Sequence, residues 1–172
     1  PVHVLLAGPP ALAKSLFLWD LERAAQGRAL WLVGSGASKA GLWDMVAERQ
    51  PKILLVDELD RMAAADTAAL LSIMEGGRLV RAKVGRRLDE QLTVWVVAAT
   101  NNLRVLSPEL LSRFAQRRLQ PYTRQEYREV VKGVLARREG IPDDVAKRVA
   151  TILDGRTQEV LDAVPVARLR SQ

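Results

Sequence analysis

The residues of this chain best suited to chemistry are Lys14 and Ser15, which close the run Gly8, Pro9, Pro10, Ala11, Leu12, Ala13, Lys14, Ser15. An apolar run, Val2 to Ala7, precedes them, and Leu16, Leu18, Leu21 and Ala25 follow at helical spacing. A strand that stops at Gly-Pro-Pro and a helix that starts at Ser15 aim the backbone N–H groups of loop and helix start at one spot, where an anion is favoured. Lys14 adds a full positive charge suited to the outer phosphates of a nucleotide, and the Ser15 hydroxyl is placed to ligate Mg²⁺. Ala13 stands where a second glycine is expected, so the backbone there is expected to take dihedrals that a Cβ tolerates.

A second chemical signal is Asp57-Glu58, delivered by the continuous apolar run Lys52 to Val56. Such a run suits a strand buried on both faces of a parallel sheet, and acids at its carboxyl end lie where ligands bind in open α/β sheets. Asp57 could hold Mg²⁺ through water, and Glu58 could orient or deprotonate a water attacking the γ-phosphate. By itself the pair would equally serve as a helix cap at a strand–helix junction. A third apolar run, Thr93 to Ala99, delivers Thr100-Asn101-Asn102, and an amide at a strand end can reach the same phosphate or water.

The elements that must position these groups follow from the intervening pattern. Arg28 to Val33 reads as a strand closed by Gly34-Ser35-Gly36, Ser38 to Glu48 as a helix, and Ala63 to Met74 as another. Arg78 to Lys83 and Arg87 to Leu92 can pair as a β-hairpin about Val84-Gly85-Arg86. Arg81, Lys83, Arg86 and Arg87 then lie near its tip, a footprint for a nucleic-acid backbone, with a solvated edge hairpin protected by its charges as the alternative. Ser107-Pro108-Glu109 opens a short helix, Leu110 to Phe114, that exposes Arg113, and Gln116 to Leu119 reads as an edge strand. After Pro121 the pattern is helical: Thr123 to Glu139 behind a capping box, Ile141 to Leu153, and Thr157 to about Arg168 across Pro165. Two domains are expected, an α/β unit over 1–120 and a helical unit over 121–172.

Composition bounds the reading. The chain has 172 residues, 48% of them hydrophobic, no cysteine and a formal charge of +6. Disulfides and thiolate metal sites are excluded, and a cytoplasmic address fits, with association with the nucleoid compatible with the charge. No apolar run approaches a membrane span, so no membrane partner is expected. The excess of cations suits an anionic partner, nucleic acid first, or simply an arginine-rich surface. The chain opens at Pro1-Val2 on its first strand without an initiator methionine, which leads us to expect a segment upstream. His3 is expected to be a packed or edge residue, and Trp19, Trp31, Trp43 and Trp95 to pack in the core.

Phosphate loop, acid-ended strand, Asn-ended strand, helix-borne arginine and helical lid occur here in an order that resembles the AAA+ ATPases over essentially the whole chain. GPPALAKS, LLVDELDRM, GRLVRAKVG, VVAATNN and LLSRF are similar to segments of MCM helicases, while SGASKAGLWDMV running straight into the acidic strand resembles RuvB-type branch-migration motors. The resemblance implies an α/β P-loop NTPase fold: a parallel sheet flanked by helices, a β-hairpin insertion and a small C-terminal helical lid. It implies ATP and Mg²⁺ as ligands, with residues 8–16, Gly8 to Leu16, around the nucleotide, Ser15 and Asp57 on the metal, and Glu58 as catalytic base. It also implies Asn101 as a sensor of the γ-phosphate, Arg113 as an arginine finger given to a neighbouring subunit, Arg156 as the nearest second sensor, and Lys83 as a hairpin lysine gripping DNA. A hexameric ring translocating on DNA as a helicase is the function implied. A MoxR-like ATPase that remodels proteins, or a nucleotide-gated scaffold with weak turnover, stands as the alternative.

Overall fold

The computed structural model describes residues 2–36, 38–76, 78–83, 86–91 and 93–153, with 78–83 and 86–91 described as backbone. The helix expected from Thr157 and the turn Val84-Gly85 lie outside the described residues. The chain divides into two compact units, Pro1–Leu119 and Gln120–Gln172.

The first unit is built on five parallel strands: β1 (His3–Ala7), β2 (Ala29–Val33), β3 (Ile53–Asp57), β6 (Trp95–Thr100) and β7 (Phe114–Arg118). Their order across the sheet is β2-β3-β6-β1-β7. The chain therefore leaves β1 toward one edge and leaves β6 toward the other, opening a crevice at the carboxyl ends of the strands between them. Leu54, Leu55 and Val56 in β3, an interior strand, are wholly buried, as an apolar run covered on both faces must be. Strand pleat sorts them. Leu54 and Val56 join Leu5, Leu42, Val46, Leu70, Ile73 and Val96 on the face covered by α2 (Lys39–Arg49) and α3 (Ala64–Met74), while Leu55 meets Leu18 of α1 (Lys14–Ala24) on the other. His3 is buried in β1, a strand flanked on both sides by neighbours.

Two tryptophans depart from the expected core packing. Trp19 is 45% exposed on the flank of α1, leaning on half-buried Trp31 with ring centroids 6.2 Å apart. Trp95 is 53% exposed because it opens β6, at the amino-terminal edge of the sheet. Trp43 is half-buried against the larger core.

The short helix is shifted from its expected span. It runs Pro108–Ser112 (α4), started by the Ser107 hydroxyl accepting the Leu110 N–H at 3.2 Å. Phe114 instead opens β7 in register with His3, where the chain gains a buried aromatic and a parallel ladder. Between α3 and β6 the chain forms the antiparallel pair β4 (Arg78–Lys83) and β5 (Arg86–Gln91), with Lys83 opposite Arg86.

The second unit holds α5 (Arg124–Gly133) and α6 (Asp143–Ile152) around Tyr127, Val131, Leu135, Ile141, Ala146 and Ala150. The capping box is reciprocal: Thr123 N–H donates to the Glu126 carboxylate at 2.8 Å and Glu126 N–H to the Thr123 hydroxyl at 3.3 Å. The backbone bond from Thr123, then the one from its hydroxyl, holds the Glu126 carboxyl below its ordinary value. The continuous helix expected to Glu139 changes pitch after Gly133 and finishes as a π-helical turn, Val134–Arg138.

Candidate functional site

The carboxyl ends of β1, β3 and β6 converge, and each delivers part of a site. Gly8 leaves β1 with its N–H on the Thr100 carbonyl at 3.3 Å, tying the loop that follows to the end of β6. A Cβ on Gly8 would stand 2.8 Å from the Leu119 carbonyl oxygen, so only glycine fits. Beyond exposed Pro9 and Pro10, Leu12 is buried and anchors the loop. Ala11 and Ala13 have φ of 64° and 56°. This corrects the expectation for Ala13, whose left-handed backbone is of the kind glycine adopts freely and an L side chain holds at a cost of about 1 kcal/mol. Ala13 also precedes α1 without offering a side-chain cap, which leaves the first N–H groups of that helix available to an anion.

Lys14 is only 7% exposed, and its ammonium donates to the carbonyls of Gly8 at 2.8 Å and Pro9 at 2.6 Å. Burial pushes its pKa down, and the carboxylates of Asp57 and Asp60 oppose that shift, so the lysine and both acids share one electrostatic neighbourhood. Ser15 and Leu16 follow, half-buried, in the first turn of α1.

Asp57 ends β3 and accepts the Glu58 N–H on Oδ1 at 2.9 Å. Glu58 is left-handed, with φ 53°, and turns the chain into Leu59–Arg61, where its carbonyl takes the Arg61 N–H at 2.8 Å. Its carboxylate is 3.6 Å from the Arg61 guanidinium. Beneath the turn lies Gly34, where a Cβ would fall 2.2 Å from the Glu58 carbonyl oxygen. Asp60, in the same turn, accepts on Oδ1 from the Thr100 hydroxyl at 2.9 Å and from Asn101 N–H at 3.0 Å. Asn101 is exposed just past the end of β6, and Asn102 receives the Arg104 N–H at 3.0 Å. Asp60 is not among the residues selected from sequence. The available signal was an acid three places after Asp57, on a turn too short to carry it away.

The structure thus brings Lys14, Asp57, Glu58, Asp60 and Asn101 to one edge of the sheet. Arg113 is elsewhere. It ends α4 immediately before Phe114, whose register partner is His3, so it lies at the amino-terminal edge, and its guanidinium is paired with the carboxylate of Glu75 at the end of α3. Five residues of strand separate the two edges by roughly 16 Å. In the hairpin, Lys83 and Arg86 are directly opposed and Arg81 pairs with Leu88, which puts positions 81, 83 and 86 on one face of the ribbon and Arg87, opposite Ala82, on the other. Arg156 lies outside the described residues.

The donor set suits a magnesium-bound nucleotide. Mg²⁺ takes one or two protein oxygens and completes its shell with phosphate and water, and a hydroxyl on α1 with a carboxylate ending β3 is such a set. Among the described residues no cluster of three His, Cys, Asp or Glu side chains forms a protein-only metal cage. No helix among them is long and apolar enough to cross a membrane.

A family model described as "ATPase family associated with various cellular activities (AAA)" matches residues 4–122. The proteasome-activating nucleotidase of Methanocella arvoryzae is 30% identical over 183 residues, covering 95% of this chain and 43% of that protein. The DNA replication licensing factor mcm2 of Xenopus laevis is 32% identical over 117 residues, 58% of this chain and 13% of that one. Among solved structures, the Thermotoga maritima RuvB Holliday junction branch migration motor superposes with a TM-score of 0.62 at 26% identity, over 97% of this chain and 56% of that one. The chain spans less than half the length of these curated relatives.

Proposed function

This chain belongs to the AAA family of ATPases, and from that premise we propose that it is the ATP-hydrolysing motor unit of a homo-oligomeric, hexameric ring that acts on DNA. The phosphate loop, Gly8 to Ser15, and the start of α1 at Leu16 hold the nucleotide, with Lys14 on its outer phosphates. Ser15 and Asp57 hold Mg²⁺, which supplies neutralisation of charge on the phosphate oxygens. Glu58 orients the attacking water and takes its proton as the bond to the γ-phosphorus forms and the bond to the β–γ bridging oxygen breaks. Asn101 reads the γ-phosphate, and Arg156 is the nearest second sensor.

The observation that carries the ring is the separation of Arg113 from its own site by the height of the sheet. An arginine held at the opposite edge can serve a nucleotide only on another copy, and a head-to-tail contact that repeats closes into a ring. DNA as the track is supported by the cations at 81, 83, 86 and 87 and by the likeness to a replication licensing factor and a branch migration motor. A second reading, remodelling of protein substrates, draws on the likeness to a proteasome-activating nucleotidase over 95% of this chain.

One experiment separates them. ATP turnover is measured with and without single-stranded and branched DNA at low and moderate salt, beside Glu58→Gln as a blank and a Lys83→Ala, Arg86→Ala, Arg87→Ala triple variant. A DNA motor gives turnover that rises with DNA, loses that rise in the triple variant and vanishes in Glu58→Gln. Turnover indifferent to DNA in both backgrounds replaces the DNA reading with the protein one.

A further inference from the structure

We propose that Asp60 is a positioning residue for hydrolysis, holding the amide-bearing end of β6 against the turn that carries Glu58. The inference rests on the roles just proposed for Glu58 and Asn101.

The ladder of β6 stops at Ala98 on the β3 side, opposite Val56, and at Thr100 on the β1 side, opposite Ala7. Asn101 and Asn102 lie beyond it, and an exposed residue past the last ladder bond has no sheet to hold it in one geometry. Asp60 supplies that hold. A single oxygen, Oδ1, accepts both the Asn101 N–H at 3.0 Å and the Thr100 hydroxyl at 2.9 Å. The hydroxyl in turn accepts the Asn102 N–H at 3.2 Å. Thr100 is 1% exposed, so its hydroxyl, donating on one side and accepting on the other, has one orientation. One carboxylate thereby orders three consecutive residues, and bonds to an ionised acceptor are the stronger kind.

The other end of the link is equally constrained. Asp60 lies two residues after Glu58 within Leu59–Arg61, a turn closed by the Glu58 carbonyl and backed by Gly34. Glu58 and Asn101 follow different strands, β3 and β6, yet are referred to one another through a single side chain. A side chain can set the distance between two reacting groups without itself taking part in the bond change. The consequence is specific. Loss of Asp60 loosens the alignment of base and amide while leaving Lys14, Ser15 and Asp57 in place, so the cost falls on turnover and not on nucleotide binding.

Asp60→Ala, Asp60→Asn, Thr100→Val, Asn101→Ala and the Asp60→Ala, Asn101→Ala double variant test this by steady-state kinetics, with affinity for a non-hydrolysable ATP analogue measured by calorimetry. Asp60→Ala is expected to lower kcat about ten- to a hundredfold with KM and analogue affinity within about twofold of wild type. Asp60→Asn, whose amide oxygen can accept the same two bonds, restores most of kcat, and the double variant is no slower than the worse single variant, because the two act as one unit. An Asp60→Ala protein that binds the analogue poorly at unchanged kcat, or losses that multiply in the double variant, overturns the inference. Should Asp60→Ala fail to fold, the near-isosteric Thr100→Val decides: kcat reduced with affinity kept supports the link, and kcat unchanged overturns it. Normal kcat in Asn101→Ala would instead defeat the role of Asn101 itself, a failure distinguishable from that of Asp60.

Discussion

Glu58 is held in a backbone conformation that costs a non-glycine residue of order 1 kcal/mol, and the space for it exists because residue 34 has no side chain. A Cβ at Gly34 would meet backbone, the Glu58 carbonyl oxygen at 2.2 Å, and backbone cannot swing aside as a flexible side chain can. Gly36, in the same short turn, has nothing within 4 Å of an added Cβ. Gly34→Ala is therefore expected to destabilise the fold by about 1–3 kcal/mol and to lower ATP turnover by displacing Glu58, while Gly36→Ala changes neither. Thermal melts and turnover assays of the two variants check this. Equal behaviour of the two would remove Gly34 as the support of the turn.

At the scale of elements, β1, α3 and β6 are joined by one side chain. His3 Nδ1 accepts the Val96 N–H at 3.1 Å, which leaves Nε2 to carry the proton and donate to the Met74 carbonyl at 3.3 Å. The ring is 5% exposed and packs edge-on against Phe114. Burial pushes its pKa below the ordinary 6.5, a shift opposed by the bond to Met74 and assisted by the charge of Arg113. The unfolded chain therefore binds a proton at a pH where the folded one does not. Stability contributed here is whole above pH 6.5 and declines as pH falls toward the folded pKa, with a slope of up to about 1.4 kcal/mol per pH unit. Urea titrations of wild type and His3→Phe between neutral and mildly acidic pH should show a shallower pH slope in the variant, whatever its absolute stability. Parallel slopes would mean that folding leaves the His3 pKa unshifted.

At the scale of the whole molecule, the site is incomplete within one chain if Arg113 belongs to it. The pair with Glu75 is half-exposed, and such pairs are worth less than about 1 kcal/mol, so it does not hinder release of the guanidinium to another copy. Mixing two variants that are each expected to be inactive tests the arrangement directly. Arg113→Ala retains Glu58, Glu58→Gln retains Arg113, and only a junction between the two unlike chains is whole. An equimolar mixture that exchanges subunits at random should regain about a quarter of wild-type turnover, since one junction in four has the productive order in a head-to-tail ring. A mixture that stays as inactive as its components would overturn the sharing of Arg113 between copies, and an Arg113→Ala protein that is active by itself would place Arg113 outside the reaction.

The strands were legible in the sequence because a parallel sheet covered on both faces demands continuous apolar runs, and Leu54 to Val56 could satisfy nothing else. The loop Gly8 to Ser15 and the paired acids Asp57-Glu58 stood out in the sequence as candidate chemistry because their types and spacing are set locally, within a few residues of chain. Local pattern misjudged Trp19 and Trp95, since exposure depends on which helix covers which end of the sheet. It misplaced Phe114, whose strand conformation comes from pairing with a residue more than a hundred positions away. Ala13 and Glu58 needed the fold as well, for their left-handed backbones are imposed by what the loop and turn must reach. The link from Asp60 to Thr100 and Asn101 spans about forty residues and arises only when β6 slots between β1 and β3. Spacing along the chain determines which groups are available for chemistry, and strand order alone decides which of them meet.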